Sequence, residues 1–407
     1  GGSIKRNGVY DEIMGILNAA GKRIVEFSGI MSNPTYAKAQ EGAKLARENH
    51  VDLILAVGGG SVSDCCKVIS AQGKLDEDIW ELENTKHTFP TEFIPLGTIV
   101  TVFGTGSEMN NGAVITHEEK KIKGALWGAQ ADFAFLDPSY SLSVPMKQVI
   151  SGAFDTLSHA METYFGKPDE NNLSDDISEA VMRSVIRNIR VLLTDPENYD
   201  AKSELAWASA MAENGILKIG KVTDFQCHMI EHQLGAYTNC NHGAGLAVIH
   251  PILYRHIYKS GAARFARFAQ NVWGIAPKSS DEETALAGVE ALAAFGIGGI
   301  FTAACMAGLA YLMANQSLAQ STAWPMVSAI VCAGSFCSGW LMAFFYHSRG
   351  LICGAVQGGL FVLLLLGFGL SEGIEPTEMQ LTRFALVFVF GCLGGVFSIL
   401  RTERHRH

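Results

Sequence analysis

The sequence predicts three parts in series: an α/β domain over residues 1–150, an all-α domain over 151–295, and four transmembrane helices over 296–407. Three observations predict them. Residues 7–150 alternate helical periodicity with short buried apolar runs, the pattern of a parallel sheet with crossover helices. From residue 151 the strand-like runs stop and amphipathic helices take over. Beyond Phe295 come four long uncharged stretches, and Arg349 is the only charged residue between 296 and 370.

In the first part, Tyr10–Ala20 reads as a helix, Arg23–Phe27 as a strand, Tyr36–Asn49 as a helix and Val51–Val57 as a nearly continuous apolar strand. In the second, the helices are Ser151–Phe165, Asp175–Leu193, Ala201–Leu217, Phe225–Tyr237 and the amphipathic Glu282–Phe295. The uncharged stretches are Gly296–Asn315, Trp324–Tyr346, Gly350–Leu370 and Phe384–Leu400, of 20, 23, 21 and 17 residues. At 1.5 Å per residue these lengths suit a hydrocarbon core of about 30 Å. The short loop His347–Arg349 and the tail with Arg401, Arg404 and Arg406 are basic and therefore inside. The loop Ser371–Thr382 carries Glu372, Glu375 and Glu378, and Gln316–Ala323 is uncharged, so both lie outside. Gly350, Gly354 and Gly358 at four-residue steps, with Gly391 and Gly395, read as close helix contacts within this bundle.

Composition sharpens the division. The net charge is -9, yet residues 296–407 hold only five of the 31 Lys/Arg and four of the 40 Asp/Glu. The front part is thus acidic with no basic stripe, which excludes nucleic acid as a partner. A mean hydropathy of +0.18 owes its excess to the back part. Nine cysteines without a Cys-x-x-Cys pair read as reduced, packed thiols.

Chemistry concentrates in two helical pairs and one lone residue. Residues four apart on a helix share a face, so Asp155 and His159 can reach one ion together. His228 opens a second helix, and His242 follows fourteen residues later, past a turn. One carboxylate and three imidazoles suit Fe²⁺ or Zn²⁺ with a position open for substrate; ordinary core or surface histidines are the competing reading. Val51–Val57 runs straight into Gly58, Gly59, Gly60 and Ser61 and then a helix. Backbone N–H groups there can close on a pyrophosphate at the helix N-terminus, though a plain tight turn reads the same run. Thr98 and the loop Gly104–Glu108 supply another strand end with hydroxyls and free amides.

Together these segments resemble the iron-dependent (group III) alcohol dehydrogenase family, nearest its NADPH-dependent butanol dehydrogenase and aldehyde reductase branch. The matching pieces are Gly1–Asp11, Asn33–Thr35, Gly58–Asp64 with Lys67, Gly104–Asn110, Leu136–Pro138, Gly152–His159, and His228 through Gly243. The resemblance implies a nucleotide-binding domain followed by a helical metal-binding domain, the dehydroquinate-synthase-like fold. It implies metal ligands at Asp155, His159, His228 and His242, with His232 beside the metal moving the alcohol proton. It implies cofactor contacts at Gly1, Gly2, Ser3, Gly58, Gly59, Gly60, Ser61, Asp64, Thr98, Thr101 and Ser107. NADP is the expected cofactor, with NAD second, because the Gly1–Ser3 loop carries no acid to hold a ribose 2′-hydroxyl. The substrate would be a small alcohol or aldehyde, and a homodimer is an assembly to test.

Three departures accompany the resemblance: the first strand is missing, Phe103 replaces a Pro or Ala, and the helical domain stops at Phe295. Residues 296–407 instead resemble small four-span bacterial membrane proteins, most clearly at Gly334–Gly339 and Gly350–Gly359. The switch falls within a helix without a linker, as in a fusion or chimera. The expected place is the bacterial inner membrane, with the enzyme part cytoplasmic, or the cytoplasm if residues 1–295 act alone. Loss of further helices should expose apolar surface around His228–His242. The alternative function is a membrane structural or interaction protein carrying a catalytically silent remnant.

Overall fold

The computed structural model describes residues 2–296, 332–337, 339–340, 343, 350–371 and 378–404. The chain divides into two units, Gly1–Ala293 and Ala294–His407.

The first unit opens with α1 (Val9–Ala19) and α2 (Tyr36–Glu48), whose N-terminus is capped by Thr35 accepting from the Lys38 amide at 3.3 Å. Strand β1 (Ile54–Gly58) leads into α3 (Gly60–Gln72), followed by α4 (Ile79–Asn84), β2 (Leu96–Val100), β3 (Gly112–His117), β4 (Ile122–Trp127) and β5 (Phe133–Phe135). Strands β1, β2 and β5 form a parallel sheet in that order, with Ala56 opposite Thr98 and Thr98 opposite Ala134. Every residue of β2 is buried, as its central place requires. The expected strand Arg23–Phe27 does not form: residues 22–31 carry no ladder. Its apolar members serve other ends, since Phe27 packs on the α2–α3 core while Glu26 holds Lys5 and Tyr10 at the surface. Strands β3 and β4 make an antiparallel hairpin that the alternating pattern did not predict.

The helical half comprises α5 (Met146–Tyr164), α6 (Leu173–Thr194), α7 (Tyr199–Glu213), α8 (Gln226–Thr238), α9 (His242–Ile257), α10 (Ala262–Trp273) and a helix over residues 281–296. Helix α5 is its axis, buried without interruption from Ala153 to Tyr164. Apolar side chains on α8 and α9 stay exposed, among them Met229, Ile230, Leu234, Tyr237, Val248 and Ile252, as the sequence led us to expect.

In the second unit, helices Gly350–Ser371 and Glu378–Arg404 pack through their glycines: a Cβ on Gly354 would lie 2.3 Å from the Gly391 carbonyl oxygen, and one on Gly395 2.0 Å from that of Gly350. Ser335 donates to the Val387 carbonyl at 2.8 Å. Among the described residues, one helix, Leu381–Ile399, is long and apolar enough to cross a membrane. Residues 297–315 of the expected span Gly296–Asn315, most of Trp324–Tyr346 and the loop residues 316–323, 347–349 and 372–377 lie outside the described residues.

Candidate metal centre

Helix α5 presents Asp155 and His159 one turn apart. Helix α8 presents His228 and His232, then ends at Asn239, whose left-handed conformation (φ 52°) turns the chain. Asn241 caps α9 by accepting from the Ala244 amide at 3.1 Å, so His242 is the first residue of that helix. The cap is moored to α5, where Ser151 donates to Asn241 and Asn241 donates to Gln148. Gly243 completes the approach, since a Cβ there would stand 2.0 Å from the Ser151 carbonyl oxygen. His242 is thereby set one helical turn along from Ser151, beside Asp155.

Asp155 Oδ1 is the hub. His242 Nε2 lies 3.5 Å from it, His228 Nε2 3.6 Å and His159 Nε2 3.9 Å. A tetrahedral ion with ligands at about 2.1 Å separates its donors by about 3.4 Å, so the spacing fits a divalent ion. Asp155, His228 and His242 have donor atoms all within 4.8 Å of one another. Asp155 Oδ1 and His228 Nε2 are buried without hydrogen-bond partners, the condition of donors meant for an ion. Glu162 and Glu231 take the Nδ1 side of His228 and His242, respectively, which leaves both Nε2 atoms facing Asp155, as carboxylate–histidine–metal triads require. His242 is a quarter exposed and marks the open side.

Electrostatics follow from this crowding. Burial alone would raise the Asp155 pKa, but His159, His242 and His228 outweigh it and hold the carboxyl well below the usual range. Burial lowers His228, yet the neighbouring carboxylates of Asp155 and Glu162 carry it up to about 9. His159 is lowered by burial. His232 falls to about 3 through burial, then through the charges of His242 and Lys123, and neither ring nitrogen has a partner. Its ring lies 5.6 Å from that of His242.

Of the expected cofactor residues, Gly58–Ser61 and Thr101 stand at the C-terminal ends of β1 and β2, while Thr98 lies mid-strand in β2 and Asp64 within α3. Gly58–Ser61 form the β1–α3 junction, and the Thr101 amide bonds the Gly58 carbonyl at 2.9 Å. A Cβ on Gly60 would meet Thr105 Oγ1 at 2.3 Å, so the two strand-end loops touch. Thr98 is fully buried with its hydroxyl unpartnered. Asp64 and Ser107 are buried and bonded to each other, and Asp64 also accepts the Val114 amide at 3.1 Å. Gly2 and Ser3 are exposed; Gly1 lies outside the described residues.

Sequence reasoning missed four groups around the centre. Glu162 was findable, seven residues after Asp155 on the same helical face. Glu231, between His228 and His232, was equally so. Lys123 and Glu213 carried no local signal; the latter places Oε1 4.0 Å from His159 Nε2.

Comparison with known proteins follows the same division. A family model for iron-containing alcohol dehydrogenase matches residues 1–138, and one for the C-terminal part of the Fe-containing alcohol dehydrogenase family matches 149–298. A third, for a protein of unknown function (DUF3792), matches 288–398. The chain is 38% identical over 299 residues to the probable NADH-dependent butanol dehydrogenase 1 of Bacillus subtilis (strain 168), covering 72% of this chain and 77% of that protein. It is 36% identical to the NADPH-dependent aldehyde reductase YqhD of Escherichia coli (strain K12), over 69% of this chain and 73% of that one. The crystal structure of NADH-dependent butanol dehydrogenase A from Thermotoga maritima superposes with a TM-score of 0.70 at 34% identity, covering 74% of this chain and 75% of that chain.

Proposed function

The chain belongs to the iron-containing alcohol dehydrogenase family, and from that premise we propose that Asp155, His159, His228 and His242 hold one Fe²⁺ or Zn²⁺ in an NAD(P)H-dependent alcohol dehydrogenase and aldehyde reductase acting on small substrates. The observation that carries the reading is the convergence of three imidazoles on a buried, unbonded carboxylate oxygen at 3.5–3.9 Å. When bound, the ion supplies Lewis acidity toward the substrate oxygen and the nicotinamide supplies or takes the hydride.

The remaining work belongs to the chain. Glu162 and Glu231 keep the Nδ1 protons in place and aim Nε2 inward. Loops Gly58–Ser61 and Gly104–Ser107 present backbone amides and hydroxyls to the dinucleotide, with Thr98 beneath. His232, with a pKa pushed down to about 3, is a neutral imidazole at neutral pH, with one N–H and one bare nitrogen. It passes the alcohol proton on by accepting at the bare nitrogen and releasing the other nitrogen's proton toward solvent. The reading favours NADPH, since no acid stands at Gly1–Ser3.

Residues 296–407 are proposed to anchor this enzyme by four membrane helices with both ends inside. The DUF3792 match, the apolar helix Leu381–Ile399 and its exposed Leu386, Phe388, Val389 and Leu393 support attachment. The exposed apolar face of α8 and α9 favours a second reading, in which packing is so loosened that the remnant is silent.

Detergent-solubilised full chain, loaded with Fe²⁺ or Zn²⁺, should reduce butyraldehyde with NADPH and lose this with Asp155→Asn. A chain that binds metal and NADPH but reduces no aldehyde supports the silent remnant. Tighter NADH than NADPH in titrations overturns the cofactor choice alone.

A further inference from the structure

The two carboxylates behind the metal-facing histidines are built differently. Glu162 lies on α5 itself; it engages His228 through one oxygen and accepts the Cys227 amide at 2.6 Å through the other. Glu231 engages His242 through Oε2, but that oxygen also receives Lys123 Nζ at 3.0 Å, and Oε1 receives Cys240 Sγ at 3.6 Å. Lys123 arrives from β4, 108 residues away in sequence. Its side chain is 4% exposed and that of Glu231 is fully buried. Two glycines clear the space: a Cβ on Gly235 would stand 3.1 Å from Lys123 Nζ, and one on Gly245 2.9 Å from Glu231 Cγ.

An ammonium has protons to give and no lone pair to take one. Lys123 Nζ, 3.4 Å from His242 Nδ1, therefore cannot accept the His242 proton. Glu231 accepts it, and Lys123 fixes Glu231. We propose that Lys123 and Glu231 are positioning residues of the metal centre: through them the β3–β4 hairpin holds His242 with its proton on Nδ1 and Nε2 turned toward the ion. The inference rests on the ligand set proposed above. It makes ion affinity depend on a side chain from the α/β half.

The test uses the detergent-solubilised full chain, with Zn²⁺ affinity measured by chelator competition and the visible spectrum of the Co²⁺-loaded chain. Removing such a partner costs about 10–100-fold in metal affinity. Glu231→Gln should show that loss, because an amide can donate to Nδ1 and favour the wrong tautomer. Lys123→Met should weaken Zn²⁺ by about tenfold and shift the Co²⁺ bands, and Lys123→Arg should recover all but about threefold of it. The double variant should bind no worse than Glu231→Gln alone, because the lysine acts through the carboxylate. Should Lys123→Met fail to fold, Lys123→Arg and Glu231→Gln, which keep charge or volume, decide the matter by their spectra. Wild-type affinity with an unchanged Co²⁺ spectrum in Lys123→Met, or fully additive losses in the double variant, overturns the clamp. A wild-type chain that binds neither Zn²⁺ nor Co²⁺ overturns the ligand set itself. Loss of binding in Asp155→Asn with normal binding in the clamp variants overturns the clamp alone.

Discussion

Thr98 poses the sharpest residue-scale question. Its hydroxyl sits in the central strand, wholly buried and without a partner, and such a group costs roughly 1–3 kcal/mol unless something arrives to meet it. If the dinucleotide meets it, Thr98→Val should raise the melting temperature of the cofactor-free chain and weaken NADPH binding by about 3–10-fold, the worth of one net hydrogen bond. Unchanged NADPH affinity would remove Thr98 from the cofactor site. Glu83 gives a second test. Burial raises its pKa to about 7, against the opposing hydrogen bond from the Trp127 amide. The folded chain therefore binds this proton more tightly than the unfolded chain does. The stability it contributes is fully present below the ordinary value of 4.5 and is lost as pH rises through about 7. Glu83→Gln should flatten the fall in melting temperature across that window; a fall identical to wild type would show that Glu83 does not drive it. Residues of this kind were half legible in the sequence. Asp155 and His159 announced themselves by spacing, because a helix fixes which side chains share a face, whereas His228 and His242, on separate helices, were joined to them firmly only by the family resemblance. Lys123 did not announce itself, because nothing local links a hairpin lysine to a carboxylate 108 residues later.

At the scale of elements, the site is a matter of ends: the C-terminal ends of β1 and β2 and the first turn of α9. The β1–α3 junction tests this directly. Gly60→Ala would drive a methyl group into Thr105, whose Oγ1 and Cγ2 stand 2.3 and 2.4 Å from the new Cβ. Overpacking of this sort costs about 1–3 kcal/mol, and here it parts the two loops proposed to face the dinucleotide. Gly60→Ala should raise the KM for NADPH far more than that for the aldehyde, and adding Thr105→Ala should restore part of it. An equal rise in both KM values would point to general unfolding instead. In the helical half, α5 to α8 were legible from periodicity, although α5 starts five residues earlier and α7 ends four residues earlier than expected, and α9 and α10 were not anticipated. The sheet was read less well. Arg23–Phe27 has strand composition but no neighbour to pair with, and the β3–β4 hairpin turns through Glu118–Lys121 without the Asn-Gly or Asp-Gly signal that marks tight hairpins.

For the whole molecule, the decisive fact is where the two family likenesses meet. The dehydrogenase match ends at residue 298 and the DUF3792 match begins at 288, so they overlap over residues 288–298, which take in the last turns of the helix over residues 281–296. Under the proposed membrane anchoring, a helix starting as a soluble amphipathic one would have to leave the enzyme and enter lipid within about one turn. Meanwhile Ile230, Val248 and Ile252 remain exposed on α8 and α9, so the two helices that carry His228 and His242 keep an uncovered apolar face. The full chain should therefore bind metal and NADPH but turn over much more slowly than a complete relative such as YqhD under the same conditions. Equal turnover would show that this uncovered face does not matter. The proposed membrane arrangement rests on charge: the stretch 372–377 carries Glu372 and Glu375, whereas the tail carries Arg401, Arg404 and Arg406, and basic segments stay inside. In a background freed of native cysteines, Glu375→Cys should react with an impermeant maleimide only from outside the cell, and a cysteine placed after Arg406 only once the membrane is opened. Labelling of Glu375→Cys from the cytoplasmic side alone would invert or abolish the four-span order. Recovery of the whole chain in the soluble fraction without detergent would end the membrane reading, yet leave the metal centre, built wholly within the first unit, untouched.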